Sequence, residues 1–582
     1  MSRPHYWSCS ALCGLFLCNV VAASPFPNSG SLFREYKDDS FGKSLKREST
    51  DTELEVTAPP SSEETGKEND ARITVNGYEI HGNQTLDKTQ LHGALEPYTG
   101  RELSLNEIHT AAATLRQAYV DQGYFATQVI IPPQAIHDGV VLFYVYEGTL
   151  ATDGLLTRNS GDRVSDETLH SFIQNHLEPG MPIKKQVMER TLLLIDDLPG
   201  IDSRASLYPG SLDGTANLLV DTEDRPLISG NLDIDNYGSY YTGETRVGAT
   251  LNVNSPRKVG DLLTVRVMSS GTDSNYGFVQ YEQPVGGNGF QLGGSADYFD
   301  YTLGKEFKDL NAEGNASEFR LFGRFPFIRS RQNNLVGSLE LIHSRFDDRN
   351  DALGDAKRHI NGIALGLRGE HTHNLIRGGD TFYSLTITGG ELVVDGDDGF
   401  ETLDSLTSDT QGGFIKARAS LSRLQHLHGP LSLFASIEGQ ATNSNLDSAE
   451  KFYIAGPYGV SGYPFSEAGG DEGMLLHADL RYDFLDLFET SNVQLSAFYT
   501  QGWTHIHHNT WDGWQTNSLI ENRVELASAG VAWHQTWQDT VLFRAVSGWQ
   551  LGSNVTRDPV TDRASDNSDA DYRIWLQAIY YF

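Results

Sequence analysis

The last eleven residues restrict the fold more than any other segment, because they alternate strictly between two faces. The first face is apolar throughout and consists of Tyr572, Ile574, Leu576, Ala578, Tyr580 and Phe582. The second face includes Arg573, Trp575 and Gln577, and it can meet water. A strand with one lipid-facing side is typical of a transmembrane β-barrel. The alternative is an edge strand of a soluble sandwich, whose outer face would be solvated.

The whole region from residue 226 onward has the same character. Helical signals end after Arg225, and short runs of alternating apolar and polar residues follow, as at 262–268. A Gly-rich turn at 286–289 and acidic stretches at 347–355 and 395–404 separate such runs. Short turns at one end and long polar loops at the other are what a membrane barrel needs. We therefore predict a barrel over residues 225–582, and the terminal Tyr580 and Phe582 resemble the recognition signal of outer-membrane proteins.

The N-terminal region predicts an export signal followed by a linker. Residues 1–23 combine a weakly basic start with a short apolar core, and 21–23 offer small side chains for cleavage. This apolar stretch is too short to span a bilayer as a helix. All three cysteines, at positions 9, 13 and 18, lie within it, so the mature chain would have no disulfide and no thiolate metal site. Residues 24–71 are mostly polar, with a short helix expected to start near 32–36.

Two similar α+β modules are predicted between the linker and the barrel, over residues 72–148 and 149–224. Each has the order strand, helix, helix, strand, strand, which indicates a tandem repeat. In the first module one helix face carries Leu105, Ile108, Ala112, Leu115 and Tyr119 at spacings of three and four. In the second module, helices are expected over 166–177 and 184–197.

Charge and motif content exclude several function classes. The formal net charge of -33 makes nucleic acid a poor partner. Histidines cluster at 505–508, 371–373 and 426–428, but without a metal-binding motif they are better interpreted as loop or lumen residues. The acidic run at 395–399 lacks the spacing of a calcium loop. We find no nucleophile elbow and no dinucleotide fingerprint, so we predict no catalytic residue, no metal and no cofactor.

A set of short motifs in order and at consistent spacing identifies a family resemblance. In the two modules these are Gly100-Arg101-Glu102-Leu103-Ser104, Gly123-Tyr124-Phe125, Pro133-Gln134, Asp138-Gly139, Glu147-Gly148, Glu189-Arg190, Asp197-Leu198-Pro199-Gly200 and Pro209-Gly210. In the barrel they are Asp235-Asn236-Tyr237-Gly238, Thr242-Gly243-Glu244-Thr245-Arg246 and Gly470-Asp471-Glu472-Gly473. Together they resemble the transporters of two-partner secretion, the haemolysin-activator group of the POTRA-plus-barrel superfamily.

The resemblance implies a loop that folds back into the barrel, with Val460, Ser461, Gly462 and Tyr463 at its tip. Members of the family usually have Arg where Ser461 stands, and this Arg pairs with an Asp of a barrel-wall strand. The matching strand here contains Phe498, Thr500 and Gly502, and Thr500 stands where that Asp is expected. A buried charge without its partner is costly, so losing both charges together avoids the cost. We therefore expect a weaker, neutral hydrogen bond from Ser461 to Thr500; relaxed selection in a weakened transporter is the alternative.

The resemblance also implies the fold, the location and the partners. We expect 16 antiparallel strands in the outer membrane, two periplasmic POTRA domains and a pore-plugging helix within residues 27–47. The partners would be a secreted exoprotein, namely a haemolysin, adhesin or contact-dependent toxin, together with outer-membrane lipid, the barrel assembly machinery and periplasmic chaperones. Leu115, Tyr119 and Tyr124 are candidate client-binding residues, although their periodicity also fits the core of the module. An assembly factor for other barrels and a passive porin are the alternative functions.

Overall fold

The structure of the protein is a computed structural model. It describes residues 27–40, 54–56 and 72–582, apart from 272, 352–353, 374–376, 397, 466, 489, 516–520, 554–555 and 558–560. The export signal expected at 1–23 lies outside the described residues. Two short elements precede the modules: helix α1 (Ser29–Ser40) and strand β1 (Leu54–Val56).

The first module is an α+β unit with two helices packed on its strands. Its elements are β2 (Arg72–Val75), β3 (Gly77–His81), α2 (Lys88–Leu95), β4 (Arg101–Ser104), α3 (Leu105–Asp121), β5 (Gln128–Ile130) and β6 (Val140–Tyr146). Helix α3 begins where Ser104 and Glu107 form a reciprocal capping box. Strand β6 lies between β3 and β5, and its alternate residues Val141, Phe143 and Val145 are buried in the core.

The second module has the order strand, helix, helix, strand, strand, and its strands are longer than their apolar runs. Its elements are β7 (Thr149–Asn159), α4 (Asp166–Gln174), α5 (Lys185–Asp196), β8 (Ile201–Pro209) and β9 (Thr215–Asp224). The sheet order is β1-β8-β9-β7, so the linker strand β1 occupies the outer edge of β8 in parallel register. Strands extend beyond the apolar runs because backbone pairing continues through polar residues that face solvent.

Sixteen antiparallel strands of the described chain close into a barrel, which confirms the predicted fold class. They are β10 (Ile228–Asp235), β11 (Arg246–Asn254), β12 (Leu262–Ser269), β13 (Ser274–Pro284), β14 (Gln291–Thr302), β15 (Glu313–Arg329), β16 (Asn333–Asn350), β17 (Gly354–His373), β18 (Gly379–Gly396), β19 (Gly412–His428), β20 (Leu431–Thr442), β23 (Glu472–Phe488), β24 (Ser491–His505), β25 (Arg523–Trp537), β26 (Val541–Leu551) and β27 (Tyr572–Tyr581). Helix α6 (Asp398–Leu406) follows β18, and the short strands β21 (Phe452–Tyr453) and β22 (Gly469–Gly470) pair within the loop after β20.

The barrel closes where β27 pairs with β10, from Asn231–Tyr581 to Asp235–Gln577. Tyr572 and Tyr580 on the outer face are 52% and 47% exposed, whereas Trp575 on the inner face is 5% exposed. The two faces of the last strand therefore lie as the alternation predicts. No helix in the described part of the chain has the length and apolarity to cross a bilayer.

Candidate functional site in the barrel lumen

Helix α1 lies inside the barrel and fills part of its lumen. Leu32, Phe33 and Tyr36 form its apolar face, and each is at most 2% exposed. The Phe33 ring lies 6.3 Å from the rings of Phe299 and Phe346 on the barrel wall. Tyr36 follows Phe33 by three residues and Leu32 by four, so the three side chains share one face of the helix that can pack on the wall. The apolar contacts fix both the depth and the rotation of α1.

Polar contacts hold the two ends of α1. The carboxylate of Asp348 accepts hydrogen bonds from the backbone N–H and the hydroxyl of Ser29, at 2.7 and 2.8 Å. A carboxylate at a helix N-terminus satisfies a free N–H group and complements the helix dipole. Near the other end, Lys37 Nζ lies 2.7 Å from Glu318 Oε1. Asp348 is close to the outer end of β16 and Glu318 is deeper in β15, so α1 runs inward from the extracellular side.

The loop over residues 443–471, which we call the inward loop, is the second occupant of the lumen. It contacts α1 and the residue just before it: Arg34 donates to the Ala449 carbonyl at 3.0 Å, and the Ser448 hydroxyl donates to Asn28 Oδ1 at 2.7 Å. Arg358 of β17 forms ion pairs with both Asp348 and Asp447. Arg358 therefore links the barrel wall to the inward loop. It also links the wall to α1, because Asp348 binds the N-terminus of that helix.

Buried charged side chains hold the inward loop in place on either side of its tip. Lys451 Nζ lies 2.6 Å from Asp471 Oδ1, and Asp471 is fully buried. The other Asp471 oxygen accepts from the backbone N–H of His508, at 2.9 Å. Glu467, also fully buried, accepts hydrogen bonds from the hydroxyls of Thr556 and Ser565 in the loop before β27. Two neighbouring extracellular loops thus cover the inward loop from above.

The tip of the inward loop is buried against the last strands of the barrel. Val460 and Tyr463 have no exposed surface, and Ser461 is 2% exposed. The Ser461 carbonyl accepts a hydrogen bond from Trp575 Nε1 at 2.8 Å. The Gly462 carbonyl accepts from Gln550 Nε2 at 3.0 Å.

The hydrogen bond expected between Ser461 and Thr500 is not formed, so that expectation is wrong. The Ser461 hydroxyl has no hydrogen-bond partner among the described residues. The Thr500 hydroxyl instead lies 2.8 Å from His477 Nδ1 on the neighbouring strand. The physical reason is the position at which the loop tip packs on the wall. Ser461 Oγ lies beside Gly548 of β26, which is two strands away from β24, the strand of Thr500.

The other predicted site residues lie in three places. Phe498 is 8% exposed and stacks on His477 at 5.8 Å between ring centroids. Gly502 lies against Ile454 of the inward loop, where a Cβ would be 3.0 Å from the Ile454 side chain. Tyr580 and Phe582 are exposed on the lipid face, and the Phe582 backbone pairs with Gly230 at 3.1 Å.

The candidate client-binding residues of the first module lie in its core. Leu115 and Tyr119 have no exposed surface and Tyr124 is 8% exposed. The Tyr119 hydroxyl donates to Glu147, at 3.1 Å. The core role, which the helical periodicity also allowed, is therefore the one that these side chains have in this conformation.

A joint between the second module and the barrel was not predicted. Arg329 of β15 forms a two-point ion pair with Asp197, at 2.6 and 2.8 Å. The Ser255 hydroxyl donates to the Pro199 carbonyl at 2.6 Å, and Arg190 donates to the Pro326 carbonyl at 2.7 Å. The segment 197–200 was recognised as a motif, but its sequence carries no sign that it docks on barrel turns.

Metal-ligand geometry is absent from the part of the chain that the structure describes: no three His, Cys, Asp or Glu side chains converge on one point. His508 Nδ1 lies 3.1 Å from Glu472, which makes it a loop contact.

Comparisons with known proteins agree with this architecture. A family model described as "Haemolysin secretion/activation protein ShlB/FhaC/HecB" matches residues 214–531, more than half of the chain, and a model of the ShlB-type POTRA domain matches 73–148. The heme/hemopexin transporter protein HuxB of Haemophilus influenzae (strain 86-028NP) is 26% identical over 100% of both chains. The outer membrane transporter CdiB of Escherichia coli is 21% identical over 84% of this chain and 83% of its own. The structure of CdiB from Escherichia coli superposes with a TM-score of 0.70, at 17% identity, over 90% of this chain and 93% of that one.

Proposed function

Because the chain belongs to the haemolysin secretion/activation family ShlB/FhaC/HecB, we propose that its POTRA domains recognise a large exoprotein in the periplasm and that the client crosses the barrel unfolded. The protein is an outer-membrane transporter of two-partner secretion, with its POTRA domains in the periplasm. The observation that supports the proposed route is the lumen itself, which holds α1 and the inward loop side by side. These are the elements whose displacement would open a passage.

The contacts of α1 suit a removable plug. Its ends are held by hydrogen bonds and ion pairs to Asp348 and Glu318, which water and a passing polypeptide can replace. Once α1 leaves, the charged side chains of Glu318, Asp348 and Arg358 would line the passage. These charged groups would lie beside the aromatic side chains that α1 now covers, such as Phe299 and Phe346.

Client recognition would use strand addition to a sheet edge of the POTRA domains. Among the described residues, β3 and β5 lie at the edges of the sheet of the first module, whereas the β8 edge of the second is already covered by β1. An extended client segment can pair with such an edge through its backbone, and neighbouring pockets then select side chains. A cavity of about 550 Å³ beside β3, bordered by His81, Lys88 and His92, is one such pocket.

The names of the relatives support a set of candidate clients. HuxB is named a heme/hemopexin transporter, so an exoprotein that serves heme or hemopexin uptake joins the haemolysins, adhesins and contact-dependent toxins as a candidate. The barrel assembly machinery and periplasmic chaperones would be the partners that insert the barrel, through the signal at Tyr580 and Phe582.

Secretion of the client tests this function. The neighbouring large exported reading frame is expressed with the full chain, with a chain lacking residues 72–148, or alone. We expect the client in the medium only with the full chain. If the client reaches the medium equally with the shortened chain, recognition by the first POTRA domain is refuted. Large constant conductance together with no exported client would favour the passive porin.

A further inference from the structure

We infer that Trp575 and Gln550 hold the inward loop in the barrel through its main chain, so that the side chain at position 461 is not the anchor. The two donors are side chains of the last two strands, and the acceptors are the consecutive carbonyls of Ser461 and Gly462. Neither donor was singled out by the sequence, because a main-chain acceptor leaves no mark on residue identity.

Both donors belong to strands of the barrel wall. Trp575 is 5% exposed and its N–H group is the polar end of an otherwise apolar ring, which needs a partner when buried. Gln550 lies near the end of β26, where its backbone N–H donates to the Asp571 carbonyl at 2.8 Å.

The wall is shaped for a close approach of the loop backbone. A Cβ on Gly548 would lie 2.6 Å from Ser461 Oγ and 2.8 Å from the Gly462 nitrogen. A Cβ on Gly462 would lie 2.9 Å from the Gln550 nitrogen and 3.2 Å from Ser528 Cβ. Only glycine at positions 462 and 548 permits this contact. The barrel wall is therefore shaped to bind the main chain of the loop tip.

An aromatic stack links the anchor to the closure of the barrel. Tyr458 of the inward loop meets Tyr237 edge-to-face at 5.7 Å, and Tyr237 meets Trp575 edge-to-face at 5.8 Å. Tyr237 follows β10 and Trp575 lies in β27, the two strands that close the barrel. Trp575 is therefore a positioning residue that fixes the loop tip to the closing pair of strands.

Cysteine labelling measures the anchor without any client. The chain has three cysteines, at 9, 13 and 18, so Ser461→Cys in the full-length protein places a lone thiol in the segment from residue 24 onward. Trp575→Phe keeps an aromatic ring but removes the donor. Trp549→Phe is the matched control, because Trp549 is 47% exposed on the outer face of the adjacent strand.

We expect the rate of maleimide labelling of outer membranes to rise about fivefold in Trp575→Phe over Trp549→Phe, which is about 1 kcal/mol at 1.4 kcal/mol per tenfold. Gln550→Met, which removes the other donor at similar volume, should give a similar rise. If Trp575→Phe fails to assemble a heat-modifiable barrel, Gln550→Met decides alone. Labelling at the control rate in every assembled donor variant overturns the inference. Because no client is needed, this failure is distinct from a failure of secretion.

Discussion

Phe33 packs among three aromatic rings of the barrel wall, and Phe33→Ala tests how strongly this contact retains α1 in the lumen. Its side chain is 2% exposed and touches the rings of Tyr276, Phe299 and Phe346. Truncating a buried Phe to Ala costs about 3–5 kcal/mol in a packed site. In the released state residue 33 meets water, so most of this cost falls on the occupied state. A shift of about 3 kcal/mol changes the ratio of released to seated helix roughly a hundredfold.

Single-channel recording of purified protein in planar bilayers measures that ratio directly. We expect long-lived large-conductance openings to become frequent in Phe33→Ala. Phe319→Ala is the matched control, because Phe319 lies on the same barrel but is 56% exposed on its outer face. A closed fraction in Phe33→Ala equal to that of the control would refute the claim that the aromatic cluster retains α1.

Three further predictions concern the joint, the outer loops and the tip. Arg329→Ala, which removes the ion pair to Asp197, should weaken the docking of the second POTRA domain on the barrel by about 1 kcal/mol. Amide hydrogen exchange in the segment 197–200 should rise as a result. His507, outside the barrel strands, has a pKa lowered to about 4 by burial and then by the nearby Lys451. The unfolded loop binds more protons than the folded one between pH 6.5 and about 4, so protease protection of this loop should fall as the pH falls through that window. The fall should be smaller in His507→Phe, which removes this titrating group. Ser461→Arg should lower the yield of assembled barrel because the seat against Gly548 has no room for it, and an added Thr500→Asp should not restore the yield; restoration would mean that the two positions do meet.

Local patterns predicted the barrel because lipid on one side forces alternation in every strand. The last strand shows this: Tyr572 and Tyr580 face outward while Trp575 faces the lumen, as their order along the chain requires. The capped start of α3 at Ser104 is equally local. Such features depend on neighbours within a few residues, so a single sequence contains them.

The contacts of the candidate site could not be predicted, because they join residues that are far apart in the sequence. Ser461 and Thr500 were paired by resemblance, yet the loop tip lies at Gly548, and Thr500 meets His477 instead. Tyr119 was a candidate groove residue although its periodicity favours a core position, and its burial shows that it lies in the core. Trp575 was noted as one residue of a strand face, with no sign that its N–H group reaches a carbonyl 114 positions away.

Photocrosslinking from inside the lumen tests the central claim, that the client passes through the barrel, most directly. A benzoyl-phenylalanine in place of Phe346, which is 1% exposed against α1, is compared with one in place of the lipid-facing Phe319 during arrested secretion. The account predicts a crosslink to the client from position 346 and none from position 319. Active secretion with no crosslink from position 346, or with equal crosslinks from both positions, would contradict passage of the client through the lumen.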